Sequence, residues 1–152
     1  MNCSSFDHIL VVLGPIHCDF NEQNLLVKPQ ESGGYRIAAI LDFQDSSYGY
    51  RVVDVAVYMM YMMTTCSSHI HPIDVGKFCL ESYLKKTPLS DSELSVLYDC
   101  VIARFMQSLV LGVHFYSLLK DPYLLVTQKP GWHAVKQLCT KPGDATLQYW
   151  LS

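Results

Sequence analysis

The sequence predicts an α+β fold in which a small β-hairpin precedes a helical bundle. Two apolar and partly β-branched segments, at 24–27 and 35–43, are separated by the sequence KPQESGG, and Gly33 and Gly34 supply the turn that a hairpin requires. From residue 51 onward the apolar residues recur at helical spacing. With 152 residues, 50% of them hydrophobic, the chain has the size and composition of a single domain or of one lobe of a larger fold.

The helical part divides into five predicted helices. The sequence SDSE at 90–93 is a capping box, formed by Ser90 and Glu93, that opens the longest helix. Lys85 and Lys86 stand near the C-terminal end of the preceding helix, and Pro88 follows it. The predicted helices cover RVVDVAVYMMYMM at 51–63, IDVGKFCLESYLKK at 73–86, a segment from 90 to about 119, GWHAVKQLC at 131–139 and ATLQYWL at 145–151.

The stretch VIARFMQSLVLGVHFYSLL at 101–119 is apolar and long enough to cross a membrane. Its polar residues recur at spacings that gather them on one narrow stripe of a helix, namely Arg104, Gln107, Ser108 and His114. A thin polar stripe is typical of a core helix, so we expect no membrane partner. The net charge of −3 and the pI near 6.0 give no basic surface field, and we therefore expect no nucleic-acid partner either.

The six cysteines form no C-x-x-C pair, and the N-terminus lacks the basic region, apolar core and cleavage site of a secretory signal. This pattern predicts free thiols in a reducing compartment, and hence a cytoplasmic protein. Cys66, His69, His71 and Cys79 offer a conceivable zinc set, although their spacing matches no common zinc site.

An unusual concentration of polar side chains lies just ahead of the hairpin. The sequence GPIHCDFNEQNLLV at 14–27 places six polar or charged residues between apolar runs, where a plain turn needs only one or two. If the hairpin is centred on Gly33, antiparallel pairing brings Asn24 opposite Asp42, and Asp19 precedes Asn24 by five residues. Amide and carboxylate oxygens are ligands that Mg²⁺ prefers, and Asp19 is placed to accept a proton from a substrate hydroxyl. The pattern therefore predicts a phosphoryl-transfer site.

Each of these residues also has a purely structural interpretation. Asp19 can cap or tighten a turn, Asn24 can begin a strand, and Asp42 can end one at the surface. Their joint placement favours the site over these separate roles. We expect His17 to hold the loop by hydrogen bonds, and Asp54, in an otherwise apolar stretch, to bind the loop from behind.

The same residues resemble the motifs of the aminoglycoside phosphotransferase family, whose fold is similar to that of protein kinases. The family's H-G-D-x-x-x-x-N loop appears here as IHCDFNEQN at 16–24, and its I-x-D-[FW] motif appears in AAILDFQD at 38–45. The resemblance implies that Asp19 is the catalytic base and that Asn24 and Asp42 bind Mg²⁺. It also implies that residues 1–152 form one C-terminal lobe, which comprises a catalytic loop at 17–24, a metal hairpin at 24–43 and a helical part at 51–152.

The likeness extends through most of residues 14–140 and is strongest to members of the family that act on an amino acid. It implies a small-molecule kinase that transfers the γ-phosphate of GTP to the hydroxyl of 5-hydroxy-L-lysine, with the nucleotide and the amino acid as its partners. Protein kinases match less well, because Asn21 stands where they carry a lysine and no A-P-E motif is found.

Two substitutions and one absence depart from the family pattern. Cys18 replaces the loop glycine, and Gln44 replaces a residue that is often glycine. No glycine-rich phosphate loop and no strand lysine precede Asp19, since only 13 residues come before Gly14. We therefore expect a truncated chain that lacks the nucleotide-clamping lobe and turns over very weakly. The alternatives are an inactive isoform or pseudokinase lobe that binds a partner across an uncovered apolar face, and a generic helical interaction domain.

Two charged residues after the metal motif are candidates for substrate contacts. A diamino acid needs an anion for its amines and a cation for its carboxylate, and Asp45 and Arg51 carry those charges. The alternative is that both are solvated surface charges.

Overall fold

The computed structural model describes residues 11–66 and 69–152, and within them the fold is the predicted mixture of a small β part and a helical part. The strands are β1 (Leu13–Ile16), β2 (Leu25–Pro29), β3 (Tyr35–Ile40) and β4 (Ser47–Tyr50). The helices are α1 (Arg51–Thr65), α2 (Pro72–Leu84), α3 (Asp91–Leu119), α4 (Gln128–Leu138) and α5 (Gly143–Leu151). Two short 3₁₀ turns, Glu22–Asn24 and Pro122–Leu125, stand in the connections.

The strands form two separate two-stranded antiparallel sheets. The first is the predicted hairpin of β2 and β3, and Gly33 and Gly34 in its turn have φ values of 85° and 80°. Both angles lie in the left-handed region that glycine reaches without steric cost, so the hairpin prediction and its turn residues are confirmed. The second sheet pairs β1 with β4, and the sequence did not predict it.

The register of the hairpin differs from the prediction, because the turn is centred on Ser32 and Pro29 pairs with Tyr35. A bulge between Leu26 and Val27 removes one of the two residues of offset, so that Leu25 pairs with Ile40. The expectation that Asn24 faces Asp42 directly is therefore wrong, and Asn24 lies beside Leu41, whose N–H donates to the Asn24 carbonyl at 2.8 Å.

The predicted second strand also ends three residues early. β3 stops at Ile40, because Asp42 adopts a φ of 62°, which a strand cannot continue through. The segment that carries Asp42 therefore leaves the sheet before reaching the aspartate.

The helices enclose a hydrophobic core that has α1 as its main element. Along α3 the buried residues recur every four positions, which forms a continuous ridge of the kind that packs into a neighbouring helix. Trp150 of α5 closes the core beside Gly76 of α2, and its indole N–H donates to the Ile73 carbonyl at 3.0 Å. The buried apolar residues of α1 and α3 are Val52, Val55, Ala56, Val57, Met59, Met60, Met63, Leu97, Val101, Phe105 and Leu109.

An ion pair joins the start of α1 to the start of α3. Arg51 Nη2 lies 3.1 Å from Glu93 Oε2, and the Glu93 side chain is completely buried. The predicted capping box is confirmed, since Ser90 N–H donates to Glu93 Oε2 at 2.8 Å and Glu93 N–H donates to Ser90 Oγ at 3.2 Å. Burial acts to raise the pKa of Glu93, but hydrogen bonds from Ser90 and Arg51 outweigh it and hold that pKa below its usual value.

Among the residues that the structure describes, α3 is the one helix whose length and composition would allow it to cross a membrane. The prediction of a core helix over 101–119 is confirmed only as far as Leu109 and is wrong beyond it. The first half of α3 lies in the core, with Leu97, Val101 and Phe105 fully buried. Its second half is different. Beyond Leu109 it exposes large apolar side chains, which are Val110, Leu111, Val113, Phe115, Leu118 and Leu119.

Candidate active site

The loop that follows β1 is held from behind by a single carboxylate. Asp54, in the first turn of α1, accepts the backbone N–H of His17 at 3.2 Å and that of Cys18 at 2.8 Å. The prediction for Asp54 is therefore confirmed. These two bonds keep Cys18 at a φ of 70°, a left-handed conformation that costs a non-glycine residue free energy. The related motif has glycine at this position, and the backbone angle explains why.

His17 links the same loop to the end of the hairpin. Its Nε2 lies 2.9 Å from the Leu41 carbonyl oxygen, and its ring centroid lies 4.8 Å from that of Phe43. The side chain is buried and is not among the residues that line the cleft beside Asp19. The expectation that His17 has a structural role, with hydrogen bonds that hold the loop, is confirmed.

Asp19 is surrounded by hydrogen-bond donors. Its Oδ1 accepts from the Tyr61 hydroxyl at 2.9 Å, and its Oδ2 accepts from Asn21 Nδ2 at 3.0 Å and Asn24 Nδ2 at 3.3 Å. Arg104 Nη2 stands 4.0 Å from Oδ1, close enough for attraction but too far for a hydrogen bond. The structure thus brings Asn24 into direct contact with Asp19 and fixes the direction of both carboxylate oxygens.

Tyr61 and Arg104 belong to this site, although the sequence analysis did not assign them to it. Arg104 carries a detectable signal, since it interrupts an apolar helix, but its polar stripe was interpreted only as a feature of a core helix. Nothing distinguishes Tyr61 from the other tyrosines of α1 until the helix is folded against the loop. Burial and the neighbouring carboxylate of Asp19 raise the pKa of Tyr61 to about 12 against the opposing effect of Arg104. Tyr61 therefore stays protonated at neutral pH and acts as a donor.

The donor chemistry around Asn24 and Asp42 fits Mg²⁺. Because Asn24 turns its amide nitrogen toward Asp19, its amide oxygen is available for another partner. Asp42 is exposed and follows Leu41, the residue bonded to Asn24. Within residues 11–66 and 69–152 no group of three or more His, Cys, Asp or Glu side chains could enclose a metal. Mg²⁺ nevertheless usually takes only one or two protein ligands, and one carboxylate oxygen and one amide oxygen meet that number.

Three of the four residues of the conceivable zinc set are engaged separately. The Cys66 thiol donates to the Met63 carbonyl at 3.1 Å, and His71 caps α2 by accepting the Ile73 N–H at 3.3 Å. Cys79 is buried in the core, and burial raises the pKa of its thiol. These roles are structural.

A cleft of about 600 Å³ opens beside Asp19. Its walls come from α1, the second half of α3 and the turn at Pro122–Leu125, and Tyr123 reaches across to donate to Gln23 Oε1 at 3.0 Å. The volume is that of a small-molecule site. Its lining includes the charged residues Asp19, Glu22 and Arg104 and the apolar residues Leu111, Phe115, Leu124 and Val126.

Neither residue considered for substrate contact lines this cleft. Arg51 is paired with buried Glu93 and also donates to the Pro88 carbonyl at 3.3 Å, so it is neither free for a substrate nor a solvated surface charge. Asp45 is exposed in the loop before β4.

Comparison with known proteins agrees with these motifs. Residues 9–71, which contain the catalytic loop, the hairpin and α1, match the description "Phosphotransferase enzyme family". This segment is therefore similar to the phosphotransferase enzyme family. The resemblance that the sequence motifs indicated is therefore confirmed for this segment.

Curated relatives extend the similarity over 88% of the chain. Hydroxylysine kinase of Bos taurus is 36% identical over 140 residues, which are 36% of that protein. Hydroxylysine kinase of Danio rerio is 37% identical over 138 residues, 38% of its length, and that of Xenopus laevis is 33% identical over 141 residues, 37% of its length. The chain thus spans little more than a third of these relatives. No solved structure matches it.

Proposed function

We propose that residues 1–152 form the C-terminal lobe of a small-molecule kinase that transfers the γ-phosphate of GTP to the hydroxyl of 5-hydroxy-L-lysine. The observation that carries the proposal is Asp19, which is held by Tyr61, Asn21 and Asn24 at the edge of a cleft of about 600 Å³. The similarity to proteins named hydroxylysine kinase supports the choice of acceptor.

Asp19 is the proposed base. Each of its oxygens accepts bonds from donors of the loop or of α1, and a carboxylate oxygen has further lone-pair capacity for a substrate hydroxyl. As the hydroxyl oxygen bonds to the γ-phosphorus, the bond from that phosphorus to the leaving GDP oxygen breaks and the hydroxyl proton passes to Asp19. Tyr61 and the two asparagines hold the carboxylate in the orientation that this transfer needs.

Asn24 and Asp42 are the residues that would hold Mg²⁺, through an amide oxygen and a carboxylate oxygen. When bound, the ion supplies positive charge that neutralises the nucleotide phosphates. His17 supports this arrangement, because its contacts with Leu41 and Phe43 fix the residues on both sides of Asp42.

A binding module is the second candidate function, and exposed apolar residues on the hairpin and just beyond it favour it. Tyr35 is 74% exposed, Phe43 60% and Ile37 57%, and Leu26 and Val27 add to the same element. Such a surface is typical of a site that contacts another protein segment. For either function we propose a cytoplasmic location, which the free state of Cys18, Cys66, Cys79, Cys100 and Cys139 supports.

The test measures phosphohydroxylysine and GDP formed from hydroxylysine, GTP and Mg²⁺. It uses the chain alone and a chimaera in which residues 11–152 replace the corresponding segment of the bovine relative. We expect very weak turnover by the chain alone, because it spans little more than a third of its hydroxylysine kinase relatives and positioning supplies most catalysis of this reaction. We expect the chimaera to be active.

In the chimaera, Asp19→Asn should lower kcat by about 10²–10⁴-fold, the range for a general base. Asp99→Asn, which makes the same change on an exposed residue of α3, is the matched control and should leave kcat unaltered. An Asp19→Asn chimaera as active as the control would rule out Asp19 as the base. A chimaera without any product would favour the binding module, and robust turnover by the chain alone would contradict the expected need for a further lobe.

A further inference from the structure

The charges that line the cleft beside Asp19 have a distinctive composition. Among the described residues of its lining there are two carboxylates, Asp19 and Glu22, and one cation, Arg104. A diamino acid at neutral pH carries the complementary set of two ammonium groups and one carboxylate. Arg104 is the cationic group that such a carboxylate would find in this cleft, and apolar side chains around it provide a wall for methylene groups.

The guanidinium of Arg104 is only partly used by the protein. Its Nη1 donates to Gln107 at 2.9 Å and its Nη2 donates to the Tyr61 hydroxyl at 3.4 Å, while its distance of 4.0 Å to Asp19 is too long for a hydrogen bond. Arg51 differs, since it contacts a fully buried glutamate at 3.1 Å. A guanidinium has five N–H groups. Arg104 Nε is buried, so a second N–H on each of Nη1 and Nη2 is the donor pair left for a planar, two-oxygen partner.

We infer that Arg104 is the receptor for the α-carboxylate of the acceptor, and that the acceptor class is therefore a zwitterionic amino acid with a side-chain hydroxyl. The inference rests on the function proposed above and adds a specificity residue to it. Arg104 binds the end of the substrate opposite to the one that Asp19 contacts.

The dimensions of the site are compatible with this assignment. Asp19 Oδ1 and Arg104 Nη2 lie 4.0 Å apart. With hydrogen bonds of about 2.7–2.9 Å at both ends, a substrate hydroxyl oxygen and a carboxylate oxygen can lie at most about 9.5 Å from each other. In an extended 5-hydroxylysine the two oxygens are about 7 Å apart, given carbon–carbon bonds of about 1.5 Å. One molecule can therefore reach both residues.

The experiment compares two ligands by calorimetric titration of the full chain, 5-hydroxy-L-lysine and its decarboxylated diamino alcohol. We expect the wild-type chain to prefer hydroxylysine by about 10–100-fold, the equivalent of a charge-assisted hydrogen-bonding pair. Arg104→Gln should abolish that preference while leaving the affinity for the diamino alcohol close to that of wild type. Arg104→Lys should retain part of the preference, because it keeps the charge but loses the planar fork. Arg36→Gln, on an exposed residue of β3, is the matched control and should change nothing.

The outcomes separate this inference from a purely structural role and from the proposed activity. If Arg104→Gln weakens both ligands by the same factor, Arg104 only positions Tyr61 and Asp19, and the inference is overturned. If wild type does not distinguish the ligands or binds neither, it is overturned as well. If the preference exists and depends on Arg104 although no phosphate is transferred, the inference stands while the proposed activity fails.

Discussion

Replacing Asp54 with asparagine tests whether one carboxylate shapes the catalytic loop. Asp54 accepts the His17 N–H at 3.2 Å and the Cys18 N–H at 2.8 Å through different oxygens. Asparagine keeps one acceptor oxygen and turns an NH₂ group toward the other N–H, so one bond becomes a contact between two donors. Loss of a hydrogen bond to a charged group costs about 1.5–3 kcal/mol. Because the site is partly exposed, water can bind the backbone N–H that loses its acceptor, which offsets some of this cost. We expect the free energy of unfolding to fall by about 2–3 kcal/mol.

The assay is urea unfolding followed by circular dichroism, with Asp45→Asn as the matched control on an exposed aspartate. The slope of the free energy against urea should be the same in all variants, so that the shift of the midpoint reports stability. Amide exchange at Cys18 should accelerate in Asp54→Asn alone. If the two variants differ by less than about 0.5 kcal/mol, the range of neutral surface changes, the carboxylate is not what holds the loop.

Three further predictions follow from the backbone and the shifted pKa values. Cys18→Gly should stabilise the fold by about 1 kcal/mol, because the φ of 70° at this position suits glycine. Cys18→Ala should not stabilise it, and a lower urea midpoint for the glycine variant would contradict the prediction. The pKa of Tyr61 is raised to about 12 from an ordinary value of 10.0, so its stabilisation is complete below pH 10 and lost as pH rises toward 12. The phenolate absorbance that Tyr61→Phe removes should therefore emerge near pH 12, and its emergence at pH 10 would refute the assignment. The pKa of Glu93 is lowered from its ordinary value of 4.5, so ionised Glu93 stabilises the fold above pH 4.5 and this stabilisation is lost as the pH falls below it. The difference in unfolding free energy between wild type and Glu93→Gln should therefore shrink in acid. A difference that does not change with pH would contradict the prediction.

The sequence predicted the elements whose signals are local. The hairpin follows from a glycine pair between two apolar runs, and α3 begins at Ser90 because a capping box satisfies the first backbone N–H groups of the helix. The sheet of β1 and β4 was not predicted, because its two strands have only four residues each, Leu13–Ile16 and Ser47–Tyr50. They pair although the whole hairpin lies between them in the sequence. No residue pattern within either strand indicates a pairing strand so far away in the sequence.

The candidate site shows the same division. The order and spacing of Asp19, Asn24 and Asp42 match those expected of a phosphoryl-transfer site, so the sequence singles these residues out. The predicted pairing of Asn24 with Asp42 was nevertheless wrong by one residue. The turn is centred on Ser32 and not on Gly33, which shifts the pairing near the turn by two residues, and the bulge between Leu26 and Val27 reverses one of them. A bulge depends on how two strands pack and not on turn residues.

By itself, the sequence determined which residues could act as a base and as oxygen ligands, and where the helices and the hairpin lie, because short-range spacing and capping fix these features. Only the tertiary structure decided which partners surround those residues. It brought Tyr61 and Arg104 of separate helices to Asp19 and opened the cleft beside it. These contacts depend on how α1 and α3 pack against the loop and not on distance along the chain.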